Sequence, residues 1–267
     1  MRFGLFVLFV SLRCLAAGGT ALDTGYRQMY DLQFAQAHES FRQWEQLHPD
    51  DPMGPVSDAA AYLFAEFDRL HILQSEFFAT NEGFLRMRRL DPDPAVKSRF
   101  ERALAQAQSL GDTALQRAPA DENALLATVL RTGLHADYLA LVDKRYLASL
   151  TELKQGRDIA GRLLTAHPDC YDAYVAIGVE NYMLSLKPAP VRWLLRLGGA
   201  ETDKDVGIAN LRLTAEKGHY LMPYARLLLA VAALRDNNRP KARRTLASLA
   251  QAYPQNPLYR EELAKLQ

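Results

Sequence analysis

Small and apolar residues recur along the chain in one spacing that occurs four times. In each copy a small residue is followed by small or apolar residues four and seven positions later, and by a proline at position twelve. Offsets of four and seven place three residues on one face of an α-helix. Proline ends that helix, because it has no N–H to donate and its ring clashes with the preceding turn. The four copies are Ala37–Pro49, Ala107–Pro119, Gly156–Pro168 and Ala242–Pro254.

The helices next to these copies carry a second pattern, a large residue followed by a small one. Ile177-Gly178 follows the third copy, and Leu229-Ala230 precedes the fourth. A large–small pair, a small residue twelve positions on and a proline twelve beyond that resemble the tetratricopeptide repeat. The resemblance covers most of residues 22–267. It implies an all-α fold in which antiparallel helix pairs stack into a right-handed superhelix, a solenoid.

The spacing between the four prolines departs from the repeat length of that family. The prolines lie 70, 49 and 86 residues apart, whereas the family period is about 34. We therefore expect five irregular helix pairs in residues 22–267, with insertions near 74–95 and 186–204. A terminal helix, Pro257 to Leu266, is polar on one side and is predicted to cap the solenoid.

Composition supports an all-helical chain and excludes one class of partner. The chain has 43 Leu and 39 Ala but only 11 Val and 4 Ile, and Leu and Ala favour helices over strands. It has 32 basic and 31 acidic side chains. That balance excludes a nucleic-acid binder that acts through overall basic charge.

The first 21 residues have the features of a secretory signal peptide. Arg2 precedes an apolar run of about ten residues, and small residues follow from Ala16 to Ala21. Cleavage after Ala21 or after Ala17 fits this pattern, while an uncleaved anchor and a chance apolar start remain alternatives. Export predicts a periplasmic or secreted protein of the cell envelope, whose mature chain begins near Leu22.

Titratable residues show no motif of an enzyme or a metal site. The six histidines include no pair at the i, i+4 spacing that puts two ligands on one helix face. The densest cluster, Glu66 to Glu76 with Asp68 and His71, is typical of a solvated helix face. No catalytic, cofactor-binding or metal-binding residue is therefore predicted.

The stretch Lys187–Gly199 is the most unusual in the sequence. Two prolines near its start end the preceding helix, two glycines end the stretch, and between them Arg192 and Arg196 alternate with Trp193 and other apolar residues. A short helix with a basic strip and an apolar face has three interpretations. It packs on its own solenoid, meets a partner protein, or touches a membrane surface.

The repeat register also predicts a binding surface. Solenoids of this class expose a concave face built from one helix of each pair, which suits a protein or peptide partner. The register places a largely apolar set of residues on that face: Asp172, Val175, Val179, Tyr182, Leu227 and Val231. Because a large exposed apolar patch needs cover, we expect the 187–199 insertion to fold against this concavity and to bury Trp193.

The sequence thus predicts a non-catalytic scaffold or adaptor that binds a protein or peptide. A subunit of a membrane-associated envelope assembly complex, docking through residues 187–199, is the alternative. An enzyme with an atypical active site in the groove has the least support, and no cofactor is expected.

Overall fold

The computed structural model describes residues 19–73, 90–186 and 202–266. Within these ranges the chain forms eleven α-helices, a π-helical turn at Tyr138–Val142 and a 3₁₀ turn at Tyr171–Ala173. The α-helices are α1 (Ala21–Tyr30), α2 (Phe34–Leu47), α3 (Met53–Arg69), α4 (Pro94–Arg117), α5 (Glu122–Asp137), α6 (Tyr146–Ala166), α7 (Tyr174–Ser185), α8 (Lys204–Lys217), α9 (Met222–Arg235), α10 (Arg239–Ala252) and α11 (Pro257–Ala264).

Ten of these helices form five pairs. Each of α1–α2, α3–α4, α5–α6, α7–α8 and α9–α10 packs side by side, and α11 packs on α10. The two helices of a pair are antiparallel. In α5 and α6, for example, Thr132 contacts Gly156, whereas His135, one turn later on α5, contacts Glu152, one turn earlier on α6. The predicted fold of five antiparallel pairs with a terminal helix is therefore confirmed for the described residues.

The four prolines of the repeat mark one kind of turn, which joins one pair to the next. The helix before each proline ends two residues upstream of it, at Leu47, Arg117, Ala166 and Ala252. Two residues after each proline, a backbone N–H donates to the carbonyl of the residue before the proline, over 3.0–3.2 Å. That position is Asp51, Asp121, Cys170 or Asn256, and three of these side chains also accept an N–H of the next helix. The predicted helix ends are confirmed.

A second kind of turn joins the two helices within a pair. Leu32, His71, Lys144 and Asn237 each have a φ of 55–59°, the left-handed region. At three of these turns the next residue donates its N–H to the carbonyl five residues back, as in a Schellman motif. At Lys144 the bond reaches six residues back, from Arg145 to Leu139, because the π-helical turn adds one residue. We call the side of the solenoid that holds these turns the link edge.

The small residues of the repeat lie at tight helix contacts. Ala37, Ala107, Ala230 and Ala242 are at most 3% exposed. A Cβ added to Gly178 would lie 2.9–3.1 Å from atoms of Leu211 and Gly207, two of them backbone atoms. A side chain at this position would therefore push α7 and α8 apart.

The two ends of the solenoid meet. Tyr26 on α1 stacks on Tyr220, with ring centroids 4.6 Å apart, and the Tyr30 hydroxyl donates to the carbonyl of Tyr220 over 3.0 Å. The last proline turn joins the same region, because the Gln255 N–H donates to Asp31 over 3.1 Å. We call these bonds the closure contacts. They bring the first pair against the last one, so that the concave face becomes the wall of a partly open cavity.

One described segment, Glu122–Val142, is long and apolar enough to cross a membrane by length and composition. Most of its apolar window is buried within the fold, as in the core helix of a globular protein. Its residues Leu125, Leu126, Val129 and Leu130 belong to the main hydrophobic core, which extends from α1 to α9.

Candidate functional site

A cavity of about 80 Å³ lies on the concave side of the solenoid. The first helix of every pair contributes to its wall, and α6 is the only second helix that does so among the described residues. A single water needs roughly 10–15 Å³ of such space, so the cavity has room for several non-hydrogen atoms. Its wall is mostly apolar, with aromatic rings from Tyr26, Tyr30, Phe64 and Tyr224.

Asp137, the last residue of α5, carries one of two carboxyl groups on this wall. Its Oδ2 accepts a hydrogen bond from the Tyr224 hydroxyl over 3.2 Å. Burial among apolar residues raises the pKa of Asp137 to about 7, although the Tyr224 hydrogen bond opposes this rise. The carboxyl therefore changes its charge near neutral pH.

Glu152 on α6 carries the second carboxyl group. Its Oε1 lies 2.9 Å from Nδ1 of His135 on α5, whereas its Oε2 is buried and has no hydrogen-bond partner among the described residues. A buried oxygen without a partner costs folding free energy, and such groups often bind a ligand, a water or an ion.

The π-helical turn Tyr138–Val142 begins directly after Asp137. Turns of this kind inside helices are rare and often lie at functional sites. Here the turn lies between α5 and the link to α6. Asp137 and Glu152, which belong to these two helices, line one cavity.

Two of the residues predicted for the concave face, Val175 and Val179, line the cavity. Asp172 is 4% exposed, and its carboxylate accepts the backbone N–H groups of His219, Tyr220 and Leu221 over 2.9–3.1 Å. Its role in the structure is to hold the loop before α9, one of the two segments that meet α1.

The remaining predicted residues lie elsewhere. Tyr182 is buried, and its hydroxyl has no hydrogen-bond partner among the described residues. Leu227 packs on the terminal cluster formed by α9, α10 and α11, and Val231 is partly buried on α9. From α9 it is Tyr224, not Leu227, that reaches the cavity. Arg192, Trp193 and Arg196 lie outside the described residues.

Asp137, Glu152 and Tyr224 do not stand out in the sequence as candidate site residues. The pattern held one signal for Asp137, which ends the apolar face of α5 one turn after Gly133 and Leu134. An acidic residue at the end of such a face is common on surfaces, so only the closure of the solenoid distinguishes this one.

The acidic cluster around Glu66 has a structural role. Glu66 is 3% exposed, so the expectation of a solvated helix face is wrong for this residue. Its carboxylate accepts two hydrogen bonds from Arg69, over 2.7 and 2.8 Å, and one from the Asp93 N–H. These bonds tie the end of α3 to the start of α4. Across the described ranges, no three His, Cys, Asp or Glu residues come together in a way that could hold a metal ion.

No protein-family model matches the chain, and no curated protein matches it. Among solved structures, the chain is similar to the crystal structure of a thermophilic tetratricopeptide repeat protein from Thermus thermophilus. That similarity covers 92% of this chain and 96% of the other, at 16% sequence identity and a TM-score of 0.47. The five helix pairs, with one recurring turn between pairs and another within them, give this chain a tetratricopeptide-like helical-repeat fold.

Proposed function

We propose that the protein is a non-catalytic adaptor that binds a protein or peptide at its concave face, with one partner side chain entering the cavity. The observation that supports this proposal most is the convergence of all five first helices on one partly open apolar cavity. An apolar cavity with a few polar groups of shifted pKa is the usual form of a binding site.

A second candidate function is docking in an envelope assembly complex through the link edge. Exposed apolar side chains gather at this edge, at the start of α6, the end of α7 and the start of α8: Tyr146, Leu147, Met183 and Val206. The end of α7 and the start of α8, between which residues 187–199 lie in the sequence, belong to the same edge. Exposed apolar groups at one edge favour contact with another protein.

An enzyme remains the third candidate, and one observation favours it. A carboxyl group with a pKa near 7 in an apolar cavity has the property of a general acid or base. Asp137 would be that residue, and Tyr224 would be its hydrogen-bond partner.

We also propose that the chain is exported and that its signal peptide is cleaved after Ala17. Thr20 caps α1: its side chain accepts the Asp23 N–H over 3.1 Å, and the Asp23 carboxylate accepts the Thr20 N–H over 2.7 Å. Cleavage after Ala21 would remove this cap and place a new positive charge at the start of α1, which opposes the helix dipole. Amino-terminal sequencing of the protein from its native cells is expected to begin at Gly18. Protein that keeps residues 1–17 in the cytoplasmic fraction would contradict export.

Site-specific photo-cross-linking in native cells separates the adaptor from the edge-docking function. A photo-reactive phenylalanine analogue would replace Val179 in the cavity wall, Leu147 on the link edge, or Leu47 at the end of α2, next to the first proline turn. Leu147 and Leu47 are 82% and 66% exposed, so Leu47 serves as a control for exposed apolar positions. A discrete adduct at position 179 but not at 47 is expected. An adduct at position 147 alone would favour edge docking, and none at 179 would contradict the adaptor proposal.

A further inference from the structure

The ionisable side chains of the cavity wall are all acidic or phenolic. The wall includes Asp137, Glu152 and the tyrosines Tyr26, Tyr30 and Tyr224, with no lysine, arginine or histidine among its described residues. The helices α3 and α7 contribute only apolar side chains. The cavity therefore provides hydrogen-bond acceptors and negative charge in an apolar surrounding.

The two carboxyl groups of the wall keep unused capacity to accept hydrogen bonds. One oxygen of Glu152 meets His135, and the other has no partner among the described residues. Asp137 accepts one hydrogen bond, from Tyr224 at Oδ2, and no other described residue donates to its carboxylate. Both carboxyl groups thus have an oxygen that could accept a hydrogen bond from a ligand.

Aromatic rings add a second property that favours a cation. Tyr224 packs edge-on against Phe64, with ring centroids 6.0 Å apart, and both rings belong to the cavity wall. Aromatic faces attract cations, and the attraction is stronger away from water. Carboxylates and rings together therefore suit a positively charged group on an apolar stem.

We propose that the cavity binds a primary ammonium group on a short aliphatic stem, presented as a lysine side chain of the partner. The ammonium group donates hydrogen bonds to Asp137 and Glu152, and its methylene groups contact the apolar wall. A hydrogen bond between charged groups is shorter and stronger than one between neutral groups. This inference rests on the proposed adaptor function, and it specifies the chemistry that the partner presents.

Calorimetric titration of the full chain at pH 8 with n-pentylamine, n-pentanol and pentanoate tests the charge requirement. The three probes have unbranched aliphatic chains of similar length and differ in the charge of their end group. We expect n-pentylamine to bind about tenfold more tightly than n-pentanol, which corresponds to one charge-assisted hydrogen bond. Pentanoate is expected not to bind. Equal affinity for the amine and the alcohol would overturn the proposal, and so would no binding of the amine.

Substitution of the two carboxyl groups tests whether n-pentylamine binds in this cavity. Asp137→Asn and Glu152→Gln keep the shape of each side chain, and both are expected to weaken amine binding about tenfold. Glu39→Gln is the control, because Glu39 is an exposed acidic residue that pairs with Arg42 away from the cavity. A thermal melt of each variant establishes that it is folded. Equal weakening by Glu39→Gln would mean that binding reflects overall charge, which would overturn the proposal.

Capped tripeptides distinguish a lysine side chain from a free amine. Acetyl-Gly-Lys-Gly-amide and its norleucine counterpart differ in the ammonium group, and only the lysine peptide is expected to bind in competition with n-pentylamine. If the amine binds and the peptide does not, the cavity holds a small free amine and the lysine proposal is wrong. If an adduct forms at position 179 while neither amine nor peptide binds, the adaptor function stands and this inference fails.

Discussion

Single residues determine how closely neighbouring helices approach each other in this fold. Gly178 lets α7 meet the backbone of α8 at Gly207, and Gly156 lets α6 meet Thr132 on α5. The same scale governs the cavity, where burial raises the pKa of one carboxyl group to about 7. Replacing one atom or adding one methyl group at these positions is therefore expected to change the free energy of unfolding by a measurable amount.

Gly178→Ala is expected to destabilise the protein by about 1–3 kcal/mol, because the added Cβ has no room between two backbones. Gly161 is the matched control, since it lies in the exposed part of α6 and an added Cβ meets nothing within 4 Å. Gly161→Ala is expected to stabilise the protein by about 0.5–1 kcal/mol, because alanine favours the helix. Urea unfolding measures both. Similar effects of the two substitutions would contradict the close contact of α7 and α8.

Asp137→Asn is expected to change how stability depends on pH. The pKa of Asp137 rises from 3.8 to about 7 on folding, so the folded state binds more protons than the unfolded state between these values. The free energy of unfolding therefore falls as pH rises from about 4 to about 7. Asparagine cannot ionise but can still accept the Tyr224 hydrogen bond. The variant is expected to be more stable than the wild type by about 1–2 kcal/mol at pH 8 and similar in stability at pH 4. The difference is smaller than the full pKa shift would give, because water partly screens the carboxyl. Stability profiles of variant and wild type that stay parallel across this pH range would contradict the raised pKa.

At the scale of helices and turns, the sequence predicts one kind of turn and misses the other. Proline is a strong local signal, so the ends of α2, α4, α6 and α10 could be predicted. The turns within pairs use Leu32, His71, Lys144 and Asn237 in the left-handed region, where glycine is usual. Without glycine there, the sequence holds no clear signal for these turns, and packing of the paired helices imposes them.

Lys144→Gly is expected to stabilise the protein by about 0.5–1 kcal/mol, because glycine adopts a φ of 58° without the strain that a Cβ causes. Asn237→Gly is the control, since asparagine tolerates this region better and its replacement is expected to have a smaller effect. Thermal unfolding of the two variants provides the comparison. A destabilised Lys144→Gly protein would contradict the strained turn.

At the scale of the whole molecule, the closure contacts convert a concave face into a cavity. They join residues about 190 to 224 positions apart, such as Tyr30 with Tyr220 and Asp31 with Gln255. Repeat patterns report on neighbouring helices only, so the sequence could predict that Val175 and Val179 face inward but not that α1 meets the loop before α9. The importance of Asp137 and Tyr224 depends on that closure.

Amide hydrogen exchange at Gln255 reports on the closure contacts. Its N–H donates to Asp31, so it is expected to exchange slowly in the wild type and rapidly in Asp31→Ala. Ala120 holds the same position in another proline turn and serves as the control, with an exchange rate that the substitution leaves unchanged. Rapid exchange of Gln255 in the wild type would mean that the two ends do not meet.

The titration of Asp137, followed by carbon NMR of its carboxyl group in the full chain, tests the closed acidic cavity most directly. We predict a pKa of about 7 for this group. We also predict that this pKa falls when n-pentylamine is added, because a bound cation favours the ionised form of the carboxyl. We also predict a lower pKa in Asp31→Ala, where opening of the closure would let more water reach the carboxyl. A pKa near 4 in the wild type, the value of an exposed aspartate, would contradict the account.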